Sequence, residues 1–453
     1  MSDRSFIRRA VSMTLLMAIT IVSSAFADSE DFSVLYSFEA PTPVTFTSPL
    51  GSQPDTRPVL GPRNTVYGMT YDGGVNGNGV IYRYDLESHR YTVLHTFSAL
   101  DASGNNDDGV APGVALTRGP DDVFYGMASL GGKNGNGTIF KITMSGDFTV
   151  LHTFSALDAN GNNEDGAYPL RDIVIGSDGK LYGETRIGGQ NTCTLTSNGC
   201  GTAWVMDSSG HNFRVLHQFT SSEGHAASLL QSTGRLPLWL RGVAWNVFVR
   251  DPLALRNSVP YCAVGRDFEV LYTFSQTDAN GENADGADCY ELLVETRPGV
   301  FYGAAGFGGT NGSGVGFRYS LSNPGVVEVV HDFSAVNSTG QNWDGATPDG
   351  RLTIGQDGTL YSNTEAGGAN GNGVIYSLRE DGRFEVLHTF SATNPTTGAN
   401  YDGANADNGV VLDGNRLIGI AIYGGAGSPA GYNYSGGTLY QLRLEGNAHS
   451  DDH

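Results

Sequence analysis

The sequence predicts an all-β fold, a seven-bladed β-propeller built from four-stranded antiparallel blades. Three observations carry that prediction. A short stretch recurs seven times: VLYSF at Val34, VLHTF at Val93 and Val150, VLHQF at Val215, VLYTF at Val270, VVHDF at Val329 and VLHTF at Val386. The starts lie roughly 60 residues apart, a period that marks an array of supersecondary units. Each unit holds four short runs rich in Val, Ile, Tyr, Phe and Thr, bounded by Gly, Asp, Asn and Ser, which is the pattern of strands joined by tight turns. The two ends are complementary as well. The last unit supplies three strands and stops, whereas the first strand, Phe32 to Phe38, is a fourth strand with no first three before it. Pairing them completes the seventh blade and leaves no open edge.

Residues 1–27 read as a signal peptide. Arg4, Arg8 and Arg9 form a basic start, Ala10 to Val22 an apolar run, and Ala25-Phe26-Ala27 a small-x-small cleavage site. The run is short for a membrane span, and no second apolar segment follows, so the mature chain is expected to have no span and to be secreted or periplasmic. Residues 28–447 are then one propeller, and 448–453 a polar tail. Ordinary domain sizes would allow two or three domains in 453 residues. The repeat decides for one.

The third unit shows the grammar of a blade. LRDIVI from Leu170 is strand a, the innermost. KLYGETRI from Lys180 is strand b, GTAWVM from Gly201 strand c and FRVLHQF from Phe213 strand d, the outermost. Ser177-Asp178-Gly179 makes the a–b turn, where Gly supplies positive φ. The other blades fall near 57–97, 112–154, 225–274, 290–333 and 349–390. Blade four, 225–274, departs from the grammar: it lacks the Tyr-Gly and Gly-Gly of its neighbours but keeps the unit length. A divergent blade and two compensating frameshifts both account for it.

Cys193 and Cys200 lie in one insertion, CTLTSNGC, and are expected to close a disulfide loop, in keeping with an exported chain. Cys262 and Cys289 have no evident partner, and no CxxC spacing points to zinc. The net charge of −21 and pI near 4.7 argue against nucleic acid, which needs a basic surface, and against anionic membranes. They suit cation binding.

The unit resembles the GloVer (Gloeo/Verruco type) tandem repeat of exported bacterial proteins, with a pattern near LYG-x-T, GG, GTVFK and VLHSF. It stands here as Tyr67-Gly68 with Gly73-Gly74, Tyr125-Gly126 with Gly131-Gly132, Tyr182-Gly183 with Gly188-Gly189, Tyr302-Gly303 with Gly308-Gly309, and Gly137 to Lys141 for GTIFK. The resemblance implies an exported repeat protein and brings no catalytic residues with it.

Strand direction alternates, so the d–a connections and b–c loops emerge on one face, and that face carries the unusual sequence. The d–a connection reads SALDANGNNEDGAYP in unit three. Asp158, Asn160, Asn162 and Asp165 alternate oxygen-bearing side chains around a Gly. Asp101, Asp107 and Asp108, and Asp278, Asn280 and Asp285, recur in the related loops. Hard cations want six to eight oxygens, so Ca²⁺ is the candidate ion. The competing reading is that Asp and Asn cap their own turns. The d-strand His95, His152, His217, His331 and His388 are read as packing, because Tyr36 and Tyr272 replace them in other units. No nucleophile-elbow, HExxH, Walker or dinucleotide-binding context occurs. Loop aromatics Tyr168, Trp343, Tyr401, Tyr432 and Tyr434 could stack on sugars. The expected function is a binding or scaffold protein that presents this face to a protein or polysaccharide. The alternative is a polysaccharide hydrolase or lyase working on the same face: three or more carboxylates or a His converging at one end of the central channel would favour it, and seven near-equivalent loops without a unique cluster would favour binding.

Overall fold

The computed structural model describes residues 31–42, 45–220 apart from 177, 192 and 194–197, then 261–263, 270–293 apart from 288 and 290–292, 294–425 and 435–444. The signal peptide, Tyr432, Tyr434, the polar tail and most of blade four fall outside these residues.

The described chain is all-β but for one short 3-10 turn, Pro120–Asp122. It forms six antiparallel blades, not seven. Blades keep the order number of their sequence unit. Blade three pairs Ala167–Ile175, Lys180–Ile187, Thr202–Asp207 and Arg214–Gln218 in sequence order. Blades two, five and six repeat that order, and blade one adds a fifth strand, with Ser48–Pro54 and Val59–Leu60 both pairing with Thr65–Gly74. Where the fourth blade was expected, the described residues supply a two-stranded sheet, Tyr261–Ala263 with Val270–Thr273, in the c and d positions.

The seam closes as the sequence predicts. Phe32–Ser37 pairs antiparallel with Thr438–Arg443 and becomes the outer strand of blade seven. Phe32 then stacks on His388 of blade six at 3.8 Å between ring centroids.

Two local rules recur through the described blades. The first explains Tyr-Gly. The strand-b glycine is the register partner of a large strand-c aromatic: Gly68 with Tyr82, Gly126 with Phe140, Gly183 with Trp204 and Gly419 with Tyr440. The aromatic lies over the glycine, so a Cβ on Gly183 would sit 2.3 Å from the Trp204 ring. Trp204, Tyr82, Phe140 and Tyr440 are fully buried by this means. The second rule explains Val-Leu-His. Each outer strand carries a β-bulge between the Val and the His, as at Val150 and His152 or Val386 and His388. The bulge absorbs one residue and re-aims the rest of the strand. Apolar clusters fill the spaces between blades. In one, Met127 and Phe154 of blade two meet Leu181, Trp204 and Met206 of blade three.

The innermost strands of five blades surround one central cavity of about 580 Å³, lined by Val59, Leu116, Ile173, Leu293 and Leu352 with Arg57, Asp172 and Arg351 among them. Arg351 of blade six reaches across it to Asp172 of blade three, Nη1 to Oδ2 at 3.3 Å.

Candidate functional site

The d–a loops hold themselves together. In blade three's connection, Asp158 Oδ1 accepts the N–H groups of Asn160 (2.8 Å) and Asn162 (2.9 Å). Asp101 does the same for Ser103 and Asn105, and Asp278 for Asn280 and Glu282. Asn337 makes the same two bonds to Thr339 and Gln341. The turn therefore needs an acceptor and no charge.

The second carboxylate of each loop turns inward. Asp165 Oδ2 meets His152 Nε2 at 2.9 Å, and its Oδ1 takes the Ser155 hydroxyl. Asp108 holds His95 (2.9 Å) and Ser98; Asp344 and Asp402 hold His331 and His388, each at 3.1 Å. In blade five Tyr272 donates its hydroxyl to Asp285 Oδ2 at 2.7 Å. Burial pushes the Asp108, Asp165 and Asp344 carboxyls up, but the hydrogen bonds from His and Ser outweigh it and hold all three below the usual range. Packing was thus half of the histidine's role. His152 also stacks on Phe213 of the next blade at 3.9 Å, so one ring ties loop, strand and neighbouring blade. The Ser hydroxyl bonds to Asp and not to His, so this is a structural clamp and not a nucleophile with its base.

Asp107 is exposed beside the clamped Asp108. Among the described residues, no three His, Cys, Asp or Glu side chains gather as a metal site. The sequence reading passed over Asn106, Asn163, Asn283, Asn342 and Asn400. Each stands two residues before the clamped Asp. Asn163 Nδ2 donates to the Ser155 and Gly166 carbonyls, and its Oδ1 accepts the Gly166 and Gly189 amides, locking the d–a connection to the b–c loop. The fixed offset from Asp-Gly was the available signal. Cys193 and Cys200 are bonded, with Cα atoms 5.0 Å apart. Their loop lies on the d–a connection, where Gly199 N–H donates to Gly161 O at 3.0 Å.

Three residues past the clamped Asp, the chain makes a left-handed step. Ala111, Tyr168, Thr347 and Asn405, and Gln53 at the matching place in blade one, all have φ of 54° or 55°. The amides of Gln53, Tyr168, Thr347 and Asn405 donate to the b–c loop of the preceding blade at 2.8–3.1 Å. This repeated step fixes where the residue two places on must go. In blades one, three and six it stands two residues before Arg57, Asp172 and Arg351 of the cavity lining, towards the loop face. That residue is Gly113 in blade two and Leu170 in blade three, but Asp349, Asp407 and Asp55 in the consecutive blades six, seven and one.

Asp55 and Asp407 are close, because Asn408 Nδ2 donates to the Asp55 carbonyl at 3.3 Å. Glu365 and Asp72 belong to the same cluster of charges. Asp349 stands against Gly306 of blade five. All five residues are half-buried. Desolvation, then the Asp407 charge, pushes Asp55 well above the carboxylate range. Desolvation, with the Glu365 charge, holds Asp407 at about 6, and desolvation holds Asp72 at about 6. Asp55, Asp407, Glu365 and Asp72 therefore form one cluster of carboxylates on the loop face.

Similar solved structures share the propeller fold. An oligogalacturonate lyase in complex with manganese is 13% identical with a TM-score of 0.50, over 92% of this chain and 94% of that one. An oligogalacturonate lyase from Vibrio parahaemolyticus is also 13% identical, with a TM-score of 0.42 over the same shares. A puromycin-hydrolysing peptidase of Mycobacterium tuberculosis is 12% identical with a TM-score of 0.47. The match covers 89% of this chain and 56% of that chain, so this chain spans about half the peptidase's length. No curated protein matches. The Gloeobacter/Verrucomicrobia repeat matches at residues 24–162 and 261–429, more than half of the sequence, and the chain belongs to that repeat family.

Proposed function

We propose that this is an exported binding propeller that seats its ligand on the loop face, at the mouth of the central cavity. One observation carries the reading. At a single position of the repeat, blades six, seven and one carry Asp349, Asp407 and Asp55, whereas blades two and three carry Gly113 and Leu170. Closing a ring requires the repeat; it does not require like charges crowded on one sector, which cost stability. The sign of the cluster speaks against an anionic ligand such as the galacturonate oligomers of the lyases. The direct test is equilibrium binding of peptide and oligosaccharide probes to the mature protein and to Asp55→Asn/Asp349→Asn/Asp407→Asn. The variant is expected to lose at least tenfold in affinity for any true ligand. Unchanged binding of every probe sinks the reading.

A second reading has its own observation. Asp407 and Asp72, held at about 6, beside further carboxylates resemble an acid and base pair, so a polysaccharide hydrolase or lyase is the alternative. Product release from neutral polysaccharides, abolished by Asp407→Asn, would establish it.

A further inference from the structure

The chain is rich in Asn-Gly pairs, and the fold treats them unequally. In the b–c loops they stand within GGVNGNG, GGKNGNG, GGTNGSG and GGANGNG. Two d–a connections carry one each at the tip, Asn160-Gly161 leading into blade three and Asn280-Gly281 leading into blade five. The matching tips before blades two and six hold Ser103-Gly104 and Thr339-Gly340 instead. An Asn followed by Gly is prone to attack by its own chain. The Gly nitrogen closes on the Asn side-chain carbon, since the two are already joined and no Cβ on Gly crowds the approach.

Two conditions govern that attack. The Asn side chain must be free to turn, and the Gly nitrogen must be open to the water that takes its proton. The b–c loops fail the first. Asn76, Asn134, Asn311 and Asn370 are all exposed, yet each Nδ2 donates to the carbonyl of the phenylalanine that ends strand d, at 2.8–3.1 Å. Asn160 and Asn280 are exposed too, and among the described residues no hydrogen bond holds their side chains. Asp158 and Asp278 cap only their backbone N–H groups.

The second condition separates these two. A Cβ on Gly281 would meet nothing within 4 Å, whereas one on Gly161 would meet Asn198 at 2.5 Å. Asn198 lies in the loop closed by Cys193 and Cys200, which also donates the Gly199 N–H to Gly161 O at 3.0 Å. The two amides are otherwise alike, Gly161 donating to Asp158 O at 3.0 Å and Gly281 to Asp278 O at 3.1 Å.

We propose that Asn280 is a site of spontaneous modification, a deamidation that needs water and no enzyme, and that the disulfide loop shields Asn160 from the same reaction. The Gly281 nitrogen loses its proton and bonds to Asn280 Cγ. The bond from Cγ to Nδ2 breaks, and ammonia leaves with a proton, which closes a five-membered imide. A water molecule then opens the ring at either carbonyl and leaves aspartate or isoaspartate. One water is consumed, one ammonia is released, and nothing is oxidised or reduced. The product adds a negative charge to this tip. Isoaspartate also adds a methylene to the main chain under the Asp278 cap, so one connection of the loop face changes with age while its neighbours do not.

The test is peptide mapping by mass spectrometry of the mature protein held at mildly alkaline pH, with conversion followed at each Asn-Gly pair. Asn280 is expected to convert several-fold faster than Asn160 and Asn134. In Cys193→Ser/Cys200→Ser, conversion at Asn160 is expected to rise several-fold while Asn280 and Asn134 keep their rates. In urea the three sites should convert at similar rates. Asn134 converting as fast as Asn280 in the folded protein overturns the proposal. So does an order that persists in urea, which would assign it to flanking sequence and not to the fold. Asn160 keeping pace with Asn280, or rising in the cysteine variant no more than Asn134 does, overturns the shielding.

Discussion

A single glycine sets the thickness of each blade. Gly126 lies under Phe140, and a Cβ there would sit 2.6 Å from the ring. Gly126→Ala is therefore expected to destabilise by about 1–3 kcal/mol through overpacking. Phe140→Leu in the same chain should recover part of that loss, because it removes the ring the methyl meets. Chemical denaturation of the single and double variants reads the coupling; additive costs would mean the two residues do not share the space. Blade six shows the same logic in natural form. Ser362 replaces the glycine under Tyr376, and its hydroxyl finds the Gly350 carbonyl at 2.8 Å. The Tyr-Gly pair was legible in the sequence as a repeated dipeptide. Its partner was not, because the cross-strand register that brings Gly126 to Phe140 is a property of the sheet.

At the scale of the element, the d–a connection is two devices in series. The outer half is a turn capped by Asp or Asn, and the inner half is a clamp from Asp to a d-strand His or Tyr. The repeated Asp-Gly was readable, but its use was not. The bulge after Val150 re-aims His152 onto Asp165, and no alternation of residues along the strand announces a bulge. In the sequence, Tyr272 in place of His argued for packing; in the fold its hydroxyl donates to Asp285 where His meets the Asp elsewhere. Because Asn337 caps its turn as Asp158 does, Asp158→Asn is expected to leave thermal stability within about 0.5 kcal/mol. For the same reason, millimolar Ca²⁺ is expected to move the unfolding midpoint no more than a chelator does. A clear rise with Ca²⁺, lost in Asp158→Asn, would place the ion at these loops. Asp165→Asn is a different matter. It weakens a charge-assisted bond in a half-buried clamp and should cost about 1–3 kcal/mol.

Over the whole molecule the two sets of carboxylates pull stability in opposite directions with pH. The clamped Asp108, Asp165 and Asp344 have folded values below the unfolded one, so they stabilise above about pH 4 and lose that contribution as pH falls through the lowered values. At the channel mouth Asp72 and Asp407 are raised to about 6, and Asp55 is raised too. There the folded state holds protons more tightly than the unfolded one. The mouth therefore costs stability at neutral pH and stops costing it as pH falls from about 7 towards 4. Thermal unfolding is expected to show a midpoint that climbs from pH 8 to pH 5 and drops below pH 4. Asp55→Asn/Asp407→Asn should raise the midpoint most at pH 8 and less at pH 5, which makes the climb shallower, with Asp72 keeping the remainder. A scaffold that used these residues only to hold itself together would lose stability in the Asn variant, and the two scans at pH 8 decide between that outcome and a site kept charged for a partner.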